Sequence, residues 1–336
     1  MKTKTRRWLS HLAFLLTAAL LLTLAGRALR PVHTDYGSTW QAYRCEPENS
    51  IDVLFLGSSY AYCDWNPGSM YAASGLTGYV MGGSEQTPAL TYWYLKEALK
   101  TQHPSVVVME GTSLFFDRYQ NYTQINVGYM PWGLNRMGAI FDAAESELRL
   151  GLFFDLYFYH DRWKELTPGE VLRALAPAKA DHLKGHTAVD TVFTNLDGGP
   201  WKRDMAQSEE VYAQNLADFG RIAALCREEG VDLILTVNPT YSQYTDAVYD
   251  RLRADVAAMD PTVTFVNWSD SFAELGLDVT QHLYDGGHLN RYGAEIFSAK
   301  TGEYLLSLGY TPRPQSEENA AAWRETAEYW ARQSKK

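Results

Sequence analysis

The chain has 336 residues, 46% hydrophobic and 13% aromatic, which supplies a packed core and excludes wholesale disorder. The formal net charge is −10, and because residues 1–30 carry six basic residues and no acid, the remainder carries −16. A body that acidic is repelled by polyphosphate backbones, which argues against nucleic acid as a partner.

In chain order, Lys2, Lys4, Arg6 and Arg7 precede a mostly apolar run of 18 residues from Trp8 to Ala25, near the lower limit for a helix that spans a bilayer. The denser positive cluster lies before the run and favours a cytoplasmic tip with the body outside. Gly26-Arg27-Ala28 offers a small-x-small cleavage site, so a retained anchor, the favoured reading, stands beside a cleaved signal peptide. Residues 1–30 thus read as a basic tip and membrane anchor, and residues 31–50 as a tether.

"IDVLFLG" (51–57) is a continuous apolar run of the kind found in a strand buried on both faces. "TGYVMGG" (77–83) predicts a second strand. Ser84 predicts the cap of a helix over 85–101, with Pro88 in its first turns. "SVVVMEG" (105–111) predicts a third strand. Residues 114–206 then show no sheet-type strand, are aromatic and helical in pattern, and read as an insertion serving as a lid or partner-binding arm. A helix over 208–230 follows, opened by Ser208 and stopped by Gly230. Strands over 231–239 and 262–268 flank a helix over 243–258, and a final helix begins near Asn290 and ends near Leu306. Residues 311–336 read as a charged surface helix. Strands alternating with helices imply a parallel sheet covered on both faces, with ligands at the carboxyl ends of the strands. Gly57, Gly83, Gly111 and Asn238 all fall just after predicted strands and can share one rim.

The cysteines are Cys45, Cys63 and Cys226, without a Cys-x-x-Cys pair; Cys45 and Cys63 can pair in an oxidising compartment, and Cys226 reads as core. His182, His186 and His282 lack metal-ligand spacing, so neither a metal nor another cofactor is expected.

Two short stretches carry chemistry. Gly57-Ser58-Ser59 follows the first strand, and Asp285-Gly286-Gly287-His288 precedes the last predicted helix of the domain. Serine chemistry needs a base beside the hydroxyl and a carboxylate to orient that base, and an Asp-x-x-His turn supplies both. Either stretch alone is common. Together, at opposite ends of one α/β domain, they are far more specific.

On these residues the chain resembles the SGNH (GDSL-like) hydrolase superfamily, whose first and last blocks are similar to "FLGSS" and "DGGHLNRYGA". The resemblance covers residues 51–310 apart from the insertion. It implies a three-layer α/β/α, flavodoxin-like fold, with Ser59 as nucleophile, His288 as base and later acid, and Asp285 orienting His288. It further implies an oxyanion hole from the N–H groups of Ser59 and Gly83, with Gly82 as the off-by-one alternative, and an asparagine after the third strand. Two departures stand out: Ser58 replaces the usual aspartate, and "VVVMEGTSLF" lacks the asparagine, Ser113 standing nearest its place. Such departures resemble a divergent membrane-anchored branch that includes the alginate O-acetylation and teichoic-acid D-alanylation proteins. That likeness implies an extracytoplasmic esterase or O-acyltransferase acting on a cell-envelope polysaccharide or other acylated substrate, with a membrane-bound acyltransferase as partner. The competing reading is a non-catalytic module that binds glycan or docks on such a partner.

On the insertion, Tyr159 and Trp163 can stack on sugar rings, and Arg162, beside His160, can hold a phosphate or carboxylate. Four apart on a helix, Tyr159 and Trp163 equally fit a packing role. Glu110 at a strand end, and Asp64 and Trp65 after the serine loop, are further candidates for the rim.

Overall fold

The apolar runs become the strands of one parallel sheet. The structure is a computed structural model describing residues 2–29, 40–196 and 199–334. The sheet contains β1 (Val53–Gly57), β2 (Gly78–Gly82), β3 (Val106–Glu110), β5 (Asp232–Val237) and β7 (Thr264–Asn267), in the order β2-β1-β3-β5-β7. All pairings are parallel, with Leu56 level with both Met81 and Met109. Every residue of β1, β2 and β3 is buried, as continuous apolar runs require of a sheet covered on both sides. Helix Arg291–Ser307 packs on helix Pro67–Ser74 in one covering layer, and helix Glu209–Glu229 packs on helix Pro88–Ala98 in the other. The architecture is therefore a three-layer α/β/α sandwich. Strand order reverses beside β1, and in open parallel sheets ligands bind at such a switch point, outside the strands' carboxyl ends.

Local signals set most boundaries. Ser208 accepts a hydrogen bond from Val211 N–H, and Gly230 ends that helix in the left-handed region at φ 68°. Ser84, however, is not a cap. Its Oγ meets the Tyr62 hydroxyl at 2.7 Å, and the helix starts at Pro88 with Thr87 extended before it. Proline's ring excludes helical backbone from the preceding residue and suits the first helical position, so the start moves to Pro88.

Three peripheral segments differ from expectation. Of the expected tether, residues 31–39 lie outside the described residues, while 40–50 is part of the core: Trp40 and Tyr43 are buried, and the Tyr43 hydroxyl donates to Ala98 O at 2.9 Å. The expected surface tail is helix Glu317–Gln333, whose Trp323 and Trp330 are buried; Trp330 Nε1 donates to His182 O. The insertion is not one arm. Residues 114–144 and 179–206 belong to the α/β unit, whereas 145–178 forms a second compact unit with the N-terminal helix Lys2–Leu29. Contrary to the absence of strands expected there, 179–206 contains β4 (Trp201–Arg203), which pairs in parallel with β6 (Ser242–Tyr244). Cys45 and Cys63, for which pairing was open, are both free thiols.

Within its own unit, Lys2–Leu29 includes a stretch, Thr5–Leu29, that is long and apolar enough to cross a membrane, its most apolar 18-residue window having a mean hydropathy of 2.0; a signal sequence has the same character.

Candidate active site

The site begins where β1 ends. Gly57 has φ +143°, and a Cβ there would lie 3.0 Å from Glu110 Cβ on the adjacent strand. Only glycine accepts both the backbone and the closeness. The chain turns through Ser58, which is fully buried, and starts a short helix, Ser59–Asp64, with Ser59 partly exposed at its first position.

From the other end of the chain comes the loop after Leu283. A β-bridge between Leu283 and Leu289 closes it, with Tyr284 N–H donating to His288 O at 3.1 Å. Asp285 Oδ1 accepts the N–H groups of Gly287 at 2.7 Å and His288 at 2.8 Å. Both Asp285 oxygens lie 2.9 Å from His288 Nδ1, and His288 Nε2 lies 2.7 Å from Ser59 Oγ. Burial pushes the Asp285 carboxyl up, but the hydrogen bond and charge of His288 and the two backbone donors outweigh it and hold the pKa below the ordinary carboxylate range. An ionised Asp285 accepts only, so His288 carries its proton on Nδ1 and turns the Nε2 lone pair toward the Ser59 hydroxyl.

The imidazole is fixed by rings. It stacks on Tyr60 with centroids 4.4 Å apart and on Tyr284 at 5.1 Å. These rings explain the paired glycines better than turn geometry does, since neither has positive φ. A Cβ on Gly287 would sit 2.7 Å from the Tyr60 hydroxyl oxygen, and one on Gly286 would sit 2.5 Å from the Trp201 ring. The Gly286 carbonyl accepts from Ser242 N–H at 2.6 Å, so the small β4–β6 sheet braces the histidine loop.

Beneath lies a buried polar layer. Asp64 is fully buried at the far end of the Ser59 helix; it accepts Leu289 N–H at 2.9 Å and Asn238 Nδ2 at 3.2 Å. Asn238 Nδ2 also donates to Tyr60 O. One carboxyl thereby ties the serine helix, the residue after His288 and the end of β5 together. Burial raises the Asp64 pKa well above the ordinary range despite those two bonds. Trp65 does not line the rim: it is buried and stacks on Phe55 and Phe297.

Glu110, at the end of β3, is also fully buried. Its Oε1 accepts Thr112 N–H at 2.8 Å and Thr112 Oγ1 at 2.5 Å, while Oε2 meets no hydrogen-bond partner among the described residues. Burial pushes its pKa up to about 7, the Thr112 bonds only partly opposing. Its protonated form is favoured in the folded state, so this carboxyl's contribution to stability is fully present below pH 4.5 and falls as pH rises toward about 7. The difference corresponds to roughly 3 kcal/mol. Urea unfolding of Glu110→Gln against wild type at pH 5 and pH 8 is expected to show the variant gaining about that much relative stability at the higher pH. A difference independent of pH would remove this assignment.

Gly83 N–H points back to Gly57 O over a long 3.4 Å, and a Cβ on Gly83 would lie 2.4 Å from Asn126 Oδ1. Gly82, the alternative, is the last residue of β2. Ser113 is buried, and its Oγ has no partner among the described residues. Asn126, in helix Thr123–Tyr129, places a buried carboxamide beside Gly83, with Nδ2 donating to Ser84 O at 2.8 Å. It falls beyond the third block, in a segment with no motif to announce it. Tyr60, Tyr284, Asp64, Asn238 and Trp201 likewise gather by tertiary packing.

The remaining candidates belong to the unit of residues 145–178 and the N-terminal helix. There Tyr159 is buried and His160 and Trp163 are exposed. Arg162 donates to Leu29 O at 2.6 Å and to Glu170 at 3.1 Å.

No family model matches the chain, and no curated protein matches it. Among solved structures it is similar to a Bacteroides fragilis NCTC 9343 protein provisionally named an acylhydrolase, with a TM-score of 0.38 and 10% identity over 80% of this chain and 94% of that one. A likeness at that level carries no argument about chemistry.

Proposed function

We propose that the α/β unit is a serine hydrolase or O-acyltransferase of SGNH type that works through an acyl-enzyme on Ser59. The observation that carries this reading is the unbroken chain from Ser59 Oγ through His288 to Asp285 at the sheet's switch point. Ser59 Oγ attacks the acyl carbonyl while His288 Nε2 takes its proton. The imidazolium is stabilised by Asp285 and then protonates the leaving alcohol as the ester bond breaks. Water or an acceptor hydroxyl next gives its proton to His288, attacks the acyl group, and restores Ser59. The N–H of Ser59, at the first position of its helix, is among the donors a helix leaves without an internal acceptor, and Gly83 N–H is only weakly held where it is. Each donor aimed at the developing oxyanion contributes about 2.7–4 kcal/mol.

Esterase and transferase differ only in which acceptor reaches the acyl-enzyme. The apolar N-terminal helix supports work at a membrane, and the charge bias before it supports an extracytoplasmic α/β unit. With the departures noted in the sequence, these favour an O-acylated cell-envelope polysaccharide as substrate and a membrane-bound acyltransferase as donor.

The test is labelling of the full chain in detergent with a fluorophosphonate. Wild type is expected to label, and Ser59→Ala and His288→Ala are expected not to. Equal labelling of all three, or none of a folded wild type, would favour the non-catalytic binding module instead.

A further inference from the structure

The unit formed by the N-terminal helix and residues 145–178 carries features that catalysis does not use. Within it, helices Asp155–Tyr159 and Pro168–Leu175 pack against helix Lys2–Leu29. Arg162 reaches the carbonyl of Leu29, the last residue of that helix, and is itself held by Glu170. A helix's final carbonyls lack internal donors, and an arginine at that end satisfies one and complements the dipole. The Arg162 turn therefore sits at the depth where the apolar span stops.

Around that turn the segment leaves large apolar side chains outside. Leu150 is 74% exposed, Phe154 61%, Trp163 66% and Leu172 70%. Lys164 Nζ lies 5.9 Å from the Trp163 ring centroid, pairing an aromatic with a cation as side chains at a lipid–water boundary do. Six aromatic residues fall within residues 153–163. At the other end of the helix Trp8 is 76% exposed. From Trp8 to Leu29 the rise is about 32 Å, close to the thickness of a bilayer's hydrocarbon core of roughly 30 Å. Exposed aromatics thus bracket the span, as interfacial aromatic belts do.

We propose that residues 145–178 form an interfacial arm, lying in the headgroup region of the bilayer that Lys2–Leu29 crosses, with Phe154 and Trp163 immersed at the acyl boundary. The partner is the lipid surface itself. This rests on reading the N-terminal helix as a retained span. Residues 145–178 hold six acids against four bases, so the attraction is apolar rather than to anionic headgroups.

The experiment places a fluorophore at single introduced cysteines in the full chain, reconstituted in phosphatidylcholine vesicles on a Cys45→Ser background. The positions are Leu20→Cys, Phe154→Cys and Trp163→Cys. Positions 154 and 163 are expected to lose fluorescence to quenchers near the headgroups, position 20 to quenchers deep in the acyl chains, and none strongly to aqueous iodide. The profile is expected to be unchanged when anionic lipid is added. Deep quenching at 20 with iodide quenching at 154 and 163 would overturn the arm while leaving the span. Absence of lipid quenching at 20 would overturn the span, and the arm with it. Shielding of 154 and 163 from both lipid and iodide would mean that protein covers the face, a second copy or another chain, and would also overturn the proposal.

Discussion

Turnover of a simple aryl ester by the Ser59→Ala protein is expected to fall by a factor of about 10⁴ or more, with the fold intact. Ser59 is partly exposed, and its only side-chain hydrogen bond among the described residues is the one to His288, so little packing is lost. His288→Ala is expected to lose a similar factor, because the serine then has no acceptor for its proton. The double variant is expected to be no worse than either single one, since the two groups act as a unit. Asp285→Asn is expected to cost about 10⁴-fold at neutral pH by unsettling the His288 tautomer. A double variant whose loss is the product of the single losses would mean independent roles, and the linked mechanism would fail. Circular dichroism of each variant separates lost chemistry from lost fold.

The second large effect concerns stability. Lys184 Nζ meets Glu46 Oε1 at 2.7 Å, with both side chains almost wholly buried, and lies 4.9 Å from the centroid of the Trp323 ring. Burial raises the Glu46 pKa, and Lys184 opposes it. The backbone is equally committed: Lys184 O accepts Val80 N–H from β2, and a Cβ on Gly185 would fall 2.0 Å from Val80 O. Removing one partner of such a pair strands the other charge in the interior. Lys184→Ala is therefore expected to destabilise by about 3–5 kcal/mol in urea unfolding. Replacing both charges, Glu46→Leu with Lys184→Met, is expected to recover most of that, because no unpaired charge remains. A single-variant loss below about 1 kcal/mol would show that water reaches the pair.

The same residues show what the sequence could and could not reveal. Strands β1 to β3 were legible because a strand buried on both faces is apolar without interruption. Ser59, Asp285 and His288 were legible because one strand end and one turn supply all three. Contacts that support them were not. Asp64 and Leu289 stand 225 residues apart, and nothing local marks Tyr60 as the ring on which His288 stacks. Strand β4 is "WKR", exposed and basic, and pairs only because β6 lies beside it. Trp323 and Trp330 lie seven apart on one helix face, a readable stripe that the surrounding charges outweighed. Arg162 offered a ready anion site in sequence, but its donors go to Leu29 O and Glu170.

The Asp64 bridge has a consequence for biosynthesis. Serine and histidine are separated by 229 residues, and the link that holds their two segments in register reaches one residue further along, to Leu289. A chain emerging from its N-terminus completes β1 and the serine turn long before the histidine loop exists. Pairings of such long range close late in folding. The Ser59–His288 arrangement therefore does not exist until almost the whole α/β unit has been delivered and folded, and it forms in one step rather than growing with length.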